Sequence, residues 1–270
     1  MDGPIYSVCT LLAVMGTTLW MCHAYLRRHG TRRRLALQAR IAAFATCGFA
    51  SLLTIPAVAD TTDSITGAQG TARLVANLAA AASMASMQIM LMDWTREPSQ
   101  VASSVTGRLA IASTTAVALI VQFLHTDTTK VVVTTAYAAD GHVTGYLLTY
   151  LAFVAFAGLE ITFLATRLAL SARRLRRPAA AGLMFLSIGC TSSVTYTLHQ
   201  GGYLVAYQIG HPWPLAVEQT ISSLLIGLAI SCNAIGMGLV APAFRQPAKA
   251  SALQQSASNP TAISAADSPH

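Results

Sequence analysis

Seven stretches of nearly continuous apolar residues alternate with short polar connections along the chain. They cover residues 5–26, 41–58, 72–94, 109–125, 145–170, 179–205 and 215–240. A helix rises by about 1.5 Å per residue, so a run of about 20 apolar residues crosses the hydrocarbon core of a bilayer. The pattern therefore predicts an all-α membrane protein whose residues 1–245 form a bundle of seven transmembrane helices, in contact with the lipid bilayer.

The composition supports the same class. The chain is 54% hydrophobic and only 10% charged, whereas soluble domains carry about a quarter of charged residues. The formal net charge of +7 does not indicate nucleic acid as a partner, because the basic residues lie in the short connections between apolar runs. That distribution is typical of membrane topology.

The basic residues also predict an orientation. If the N-terminus lies outside, fifteen of the seventeen Lys and Arg residues fall on the cytoplasmic side, where such residues collect. The two exceptions are Arg73 and Lys130. We therefore expect the N-terminus outside and the C-terminus in the cytoplasm, in a multi-pass protein of a bacterial plasma membrane.

Three polar segments have their own predictions. Residues 59–70 are expected to form an outer loop. Residues 126–144 alternate Val and Thr before Asp140-Gly141, a hairpin turn signal that favours a small β-hairpin or a re-entrant cap. Residues 246–270 are rich in Ala, Ser, Pro and Gln, a composition that predicts a disordered cytoplasmic tail.

The sequence offers little support for an enzyme. All five cysteines lie in apolar runs without a C-x-x-C pair, so they are expected to be packing residues, and no metal site or cofactor is predicted. No H-E-x-x-H, G-x-S-x-G or Walker A motif occurs. No lysine lies within a predicted span, which excludes a retinal Schiff base.

Glu160 is the one acid deep inside an apolar run. An ionisable group in a span costs about 2.5–3.5 kcal/mol at the helix centre, so it is expected to face the bundle interior and to find a partner. Arg167, two turns away toward the cytoplasm, is the expected partner. Glu160 is then a candidate coupling carboxylate for protons or cations. A structural role, with hydrogen bonds from neighbouring side chains, stays open.

Further polar residues lie in other apolar runs. They are Asn77 and Gln88 in the third, Tyr196 and His199 in the sixth, and Glu218 at the start of the seventh. If these faces converge, they line a polar cavity that opens outward, with His199 and Glu218 at its mouth. The alternative is that they are interhelical contacts of about 0.6 kcal/mol each.

Short sequence pieces also resemble a known family. They are Leu19-Trp20 before Arg27-Arg28, Asp63-x-x-Thr66-Gly67, Tyr146 and Tyr150, and Gly182, Gly189 and Tyr196. In these pieces the chain resembles a family of actinobacterial seven-span integral membrane proteins grouped as transporters. The chain departs from the family pattern after Gly67, where Ala68-Gln69-Gly70 replaces a Pro-Asn-like pair. The resemblance implies a transporter of actinobacterial origin.

Two functions remain as hypotheses. The first is a small-solute transporter with Glu160 as its coupling carboxylate. The second is a membrane sensor or scaffold that does not transport, with a cytoplasmic protein as its partner. A homo-oligomer is compatible with both.

Overall fold

The computed structural model describes residues 3–26, 34–126, 134–173 and 177–240. Within these ranges the protein is helical and contains no strand, so the predicted all-α class is confirmed there. The helices are α1 (Gly3–Leu26), α2 (Arg34–Leu53), α3 (Pro56–Thr66), α4 (Thr71–Thr95), α5 (Pro98–Leu124), α6 (Gly141–Ala172), α7 (Arg177–Gln208) and α8 (Leu215–Val240). Six of them, α2 and α4–α8, contain segments long and apolar enough to cross a membrane.

Proline decides the boundary between α2 and α3. A residue before proline disfavours the helical region, and α2 ends at Leu53 while Pro56 opens α3. The segment 59–70, expected to be a loop, is therefore mostly helical. The Asp63 carboxylate then fixes the turn into α4, because it accepts hydrogen bonds from the backbone N–H of Gly70 at 2.7 Å and of Ala72 at 2.8 Å.

Proline also sets the start of α5. This helix begins at Pro98, well before residue 109 where the apolar run begins. Proline suits the first helical turn because its missing N–H has no helical partner there. The polar segment 98–108 is consequently helical, and Arg108 belongs to a helix rather than to a connection.

The predicted hairpin signal is in fact a helix cap. The Asp140 side chain accepts hydrogen bonds from the backbone N–H of His142 and Val143 and so caps α6. A short 3-10 turn, Thr135–Tyr137, precedes it. Asp and Asn favour both turns and helix N-termini, which explains the error. Most of the Val/Thr-rich piece lies outside the described residues, as does the segment 246–270.

Six helices pack into a closed ring. Around the ring α1 contacts α2, α2 contacts α4, α4 contacts α6, α6 contacts α7, α7 contacts α8, and α8 returns to α1. Helix α5 lies outside this ring, against α4 and α6. Large apolar side chains are exposed on the outward surfaces, among them Leu11, Val117, Leu159, Leu198 and Leu224. A surface of this kind needs lipid around it.

Glycines let α7 and α8 approach each other closely. An added Cβ on Gly236 would lie 2.7 Å from the carbonyl oxygen of Gly182 and from the backbone nitrogen of Leu186. On Gly189 it would lie 2.4 Å from the side-chain oxygen of Asn233. Small residues at such crossings are a usual device of membrane helix packing.

Candidate functional site

The ring of helices encloses a cavity of about 110 Å³. Every helix of the ring contributes to its wall. Along α4 the wall extends from Arg73 to Met87, a length of about 21 Å. It stops about 12 Å before the end of α4 at Thr95. The cavity therefore reaches the end of the bundle where α4 begins but stops short of the opposite end.

Arg73 is the charged residue of this wall. It lies in the first turn of α4, where the positive end of the helix dipole disfavours a cation. Its Nε atom is buried and has no hydrogen-bond partner. No carboxylate of the residues that the structure describes forms an ion pair with it.

Tyrosines share the cavity wall with Arg73. They are Tyr6, Tyr150 and Tyr196, and Tyr146 is linked to the same wall through Asn77. The Tyr146 hydroxyl accepts a hydrogen bond of 3.0 Å from the Asn77 amide, which leaves its own proton available. Neutral phenols can accept a hydrogen bond from a guanidinium or donate one to an anion. They do not neutralise the charge of the guanidinium.

The other end of the cavity is mostly apolar. Phe44, Met84, Met87 and Met237 line it together with two polar residues, Ser83 and Asn233, whereas Asn77 lies one helical turn from Arg73. The wall is therefore amphipathic along its length, with a cationic and phenolic end and a hydrocarbon and thioether end. Within the described ranges, no group of three or more His, Cys, Asp or Glu side chains could hold a metal ion.

Glu160 belongs to a separate polar cluster between α4, α5 and α6. Its carboxylate forms a salt bridge with Arg108 and accepts a hydrogen bond of 2.6 Å from the Gln88 amide. Arg167, the expected partner, is exposed and lies over the Phe163 ring instead, 5.4 Å from its centroid. Positions 160 and 167 share a face of α6 but lie about 10.5 Å apart along its axis, whereas Arg108 reaches the Glu160 carboxylate directly from α5.

The Glu160 cluster lies just beyond the inner end of the cavity. Gln88 follows Met87, the deepest residue of α4 in the cavity wall, and is itself almost fully buried. Glu160 does not line the cavity. Helices α4 and α6 therefore carry both part of the cavity wall and two of the three polar partners.

Glu218 and His199 lie in two further places outside the cavity wall. Glu218 is buried in the first turn of α8, where its carboxylate accepts hydrogen bonds from Thr135 at 3.0 Å and Ser222 at 2.9 Å. The His199 ring packs against Trp213 with 5.4 Å between ring centroids. The expectation that these two residues form the mouth of the cavity is therefore wrong.

The predicted site residues thus separate into distinct groups. Asn77 and Tyr196 line the cavity, Gln88 and Glu160 are hydrogen-bonded to each other, and Glu218 and His199 have other partners. Sequence reasoning missed Arg73 because it was counted as an outer residue. Arg73 lies inside the apolar run 72–94 and one turn before Asn77. This i, i+4 spacing places both residues on one face of the helix and could have indicated that Arg73 belongs to the same site as Asn77.

Comparison with protein-family models, with curated proteins and with solved structures finds no match for this chain. The class is therefore defined by the fold itself. Six long apolar helices, with exposed apolar side chains on the outside and polar groups inside, indicate a multi-pass integral membrane protein.

Proposed function

We propose that the chain is a seven-span protein of a bacterial plasma membrane, with its N-terminus outside and its C-terminus in the cytoplasm. Helix α1 supplies the seventh span, since it has 24 residues, carries an apolar stretch at Tyr6–Leu19 and packs between α2 and α8. The collection of basic residues on one side supports the orientation. We further propose that the chain belongs to the actinobacterial seven-span proteins that it resembles.

Within this topology, the function we propose is the transport of a small solute through the central cavity. The observation that carries the proposal is the cavity itself, enclosed by six helices and polar at the end where α4 begins. In the proposed orientation that end faces outward. Enclosed polar volume at membrane depth is costly unless water or a solute uses it.

Glu160 is proposed as the coupling carboxylate, acting from beside the cavity rather than within it. Its partners Arg108 and Gln88 come from α5 and α4, so a relative movement of α4 and α6 changes both the cavity and the hydrogen bond between Gln88 and Glu160. Protonation of Glu160 would release Arg108. This exchange acts as a switch because a carboxylic acid no longer holds a guanidinium as a carboxylate does.

A sensor is the second candidate, and one observation favours it. The cavity wall ends at Met87, about 12 Å before α4 ends. A pocket that opens to one side only is sufficient for binding a signal. A transporter requires a second conformation in which that inner end opens.

Cysteine accessibility tests the cavity that both candidates need. Ala80 lines the cavity, while Ala81, the next residue of α4, is buried outside its wall at nearly the same depth. Each is replaced by cysteine in a chain whose five native cysteines are removed. We expect an impermeant thiol reagent, added to intact cells, to label Ala80→Cys and to spare Ala81→Cys. Equal protection of both would contradict a solute-accessible cavity.

A further inference from the structure

The cavity wall carries a positive charge without a matching negative one. Arg73 has no ion-pair partner among the described residues, and its Nε atom is buried without a hydrogen bond. The nearest acid in sequence, Asp63, directs both carboxylate oxygens at the backbone N–H groups of Gly70 and Ala72. Glu218 has its own donors in Thr135 and Ser222.

A cation with a buried, unpaired donor is expensive and is a reason to expect function. The groups around Arg73 are phenols, which can donate hydrogen bonds to an anion as readily as they accept from a cation. Tyr150 and Tyr196 line the cavity together with Arg73. Guanidinium and phenol together form a donor set for an anionic oxygen.

The size and polarity of the cavity limit the rest of the ligand. A volume of about 110 Å³ corresponds to roughly eight to ten water-sized atoms. Beyond Asn77 the wall is formed mostly by Phe44, Met84, Met87 and Met237, with Ser83 and Asn233 as its polar residues. An apolar body is favoured there, because a polar one would lose its hydrogen bonds with water.

We propose that the cavity binds a small organic anion, a carboxylate with an apolar body of about six carbon atoms. The carboxylate pairs with Arg73 and the phenols, and the apolar body lies along α4 toward Met84 and Met87. This inference rests on the proposed solute cavity and specifies the chemistry of its ligand.

The test compares carboxylates with their neutral amides of the same shape. Benzoate and benzamide each have about nine non-hydrogen atoms and differ in charge, and hexanoate with hexanamide forms a second pair. Binding is measured as a shift of the melting midpoint on the purified full-length protein with Cys22 and Cys47 replaced by alanine, because Cys22 is exposed and Cys47 lines the cavity. A thiol-reactive dye then reports exposure of the buried cysteines, Cys190 and Cys232 among them. Inorganic phosphate tests an anion without an apolar body.

We expect at least one of the two carboxylates to raise the midpoint saturably and its amide to leave it unchanged. In Arg73→Gln the apparent dissociation constant for that carboxylate should rise at least tenfold, the range that a charge-assisted pair supplies. Arg73→Lys should retain part of the affinity. The matched control is Arg167→Gln, an exposed arginine outside the cavity, which should respond like the native chain.

Several results would overturn the inference. They are a response to neither carboxylate, an equal response to the amides, an equal response to phosphate, or an unchanged response in Arg73→Gln. If Arg73 instead has a structural role, Arg73→Gln would lower the melting midpoint measured without ligand. We expect this midpoint to remain unchanged or to rise, because the substitution removes an unpaired charge. If Ala80→Cys is labelled while no carboxylate binds, the inference fails and the solute cavity stands.

Discussion

The ion pair between Arg108 and Glu160 offers a quantitative test of the polar cluster beside the cavity. Replacing Glu160 by Gln leaves the Arg108 guanidinium without its carboxylate, in a bundle where water is scarce. Exposed pairs contribute about 0–1 kcal/mol, whereas loss of one partner from a fully buried pair costs about 3–5 kcal/mol. The two side chains are 24% and 18% exposed, so the expected loss of unfolding free energy is about 2 kcal/mol.

That loss corresponds to a decrease of about 4–8 °C in the melting midpoint for a chain of this size. The measurement is a double-mutant cycle with Glu160→Gln, Arg108→Gln and the double variant, each melted in the same detergent. Each single variant should lose about 2 kcal/mol. The double variant should lose no more than one of them, because it contains no unpaired charge.

Additive losses would refute this reasoning. If the double variant loses the sum of the two single losses to within about 0.5 kcal/mol, the two residues do not interact. Arg167→Gln serves as the control, since Arg167 is exposed over Phe163, and its effect should stay below about 0.5 kcal/mol.

Two further predictions concern helix packing and capping. Gly236→Ala should destabilise the protein by about 1–3 kcal/mol, because its Cβ would meet the α7 backbone at 2.7 Å. Gly238→Ala, which has open space, should be neutral or stabilising by up to about 1 kcal/mol, and a similar loss at both positions would contradict the close approach. Asp63→Ala removes two hydrogen bonds to backbone N–H groups and should cost about 1–2 kcal/mol in thermal melts. The exposed Asp60 gives the control Asp60→Ala, and an equal effect of the two would exclude the cap.

Continuous apolarity was sufficient to predict the helical class and the approximate place of each long helix. It was not sufficient for the ends of α2, α3 and α5, because Pro56 and Pro98 set these boundaries through backbone geometry rather than hydropathy. The polar stretch before Arg108 has no apolar signal at all. It becomes helical as the first turns of α5.

The partners of the polar residues were beyond the reach of single-helix periodicity. Spacing along α6 places Arg167 two turns from Glu160, but it carries no information on α5, which supplies Arg108 from 52 positions away. Arg73 illustrates the same limit. Its place beside tyrosines from α1, α6 and α7 depends on how the ring of helices closes.

Labelling of the cavity cysteine is the most direct test of a solute cavity reached from outside. The ratio of the labelling rates of Ala80→Cys and Ala81→Cys in intact cells is the quantity to measure, with the melting midpoints of both variants as a check on folding. We predict a rate for Ala80→Cys at least tenfold higher. A ratio near one, in two folded variants, would contradict a cavity that solutes enter from the side where α4 begins.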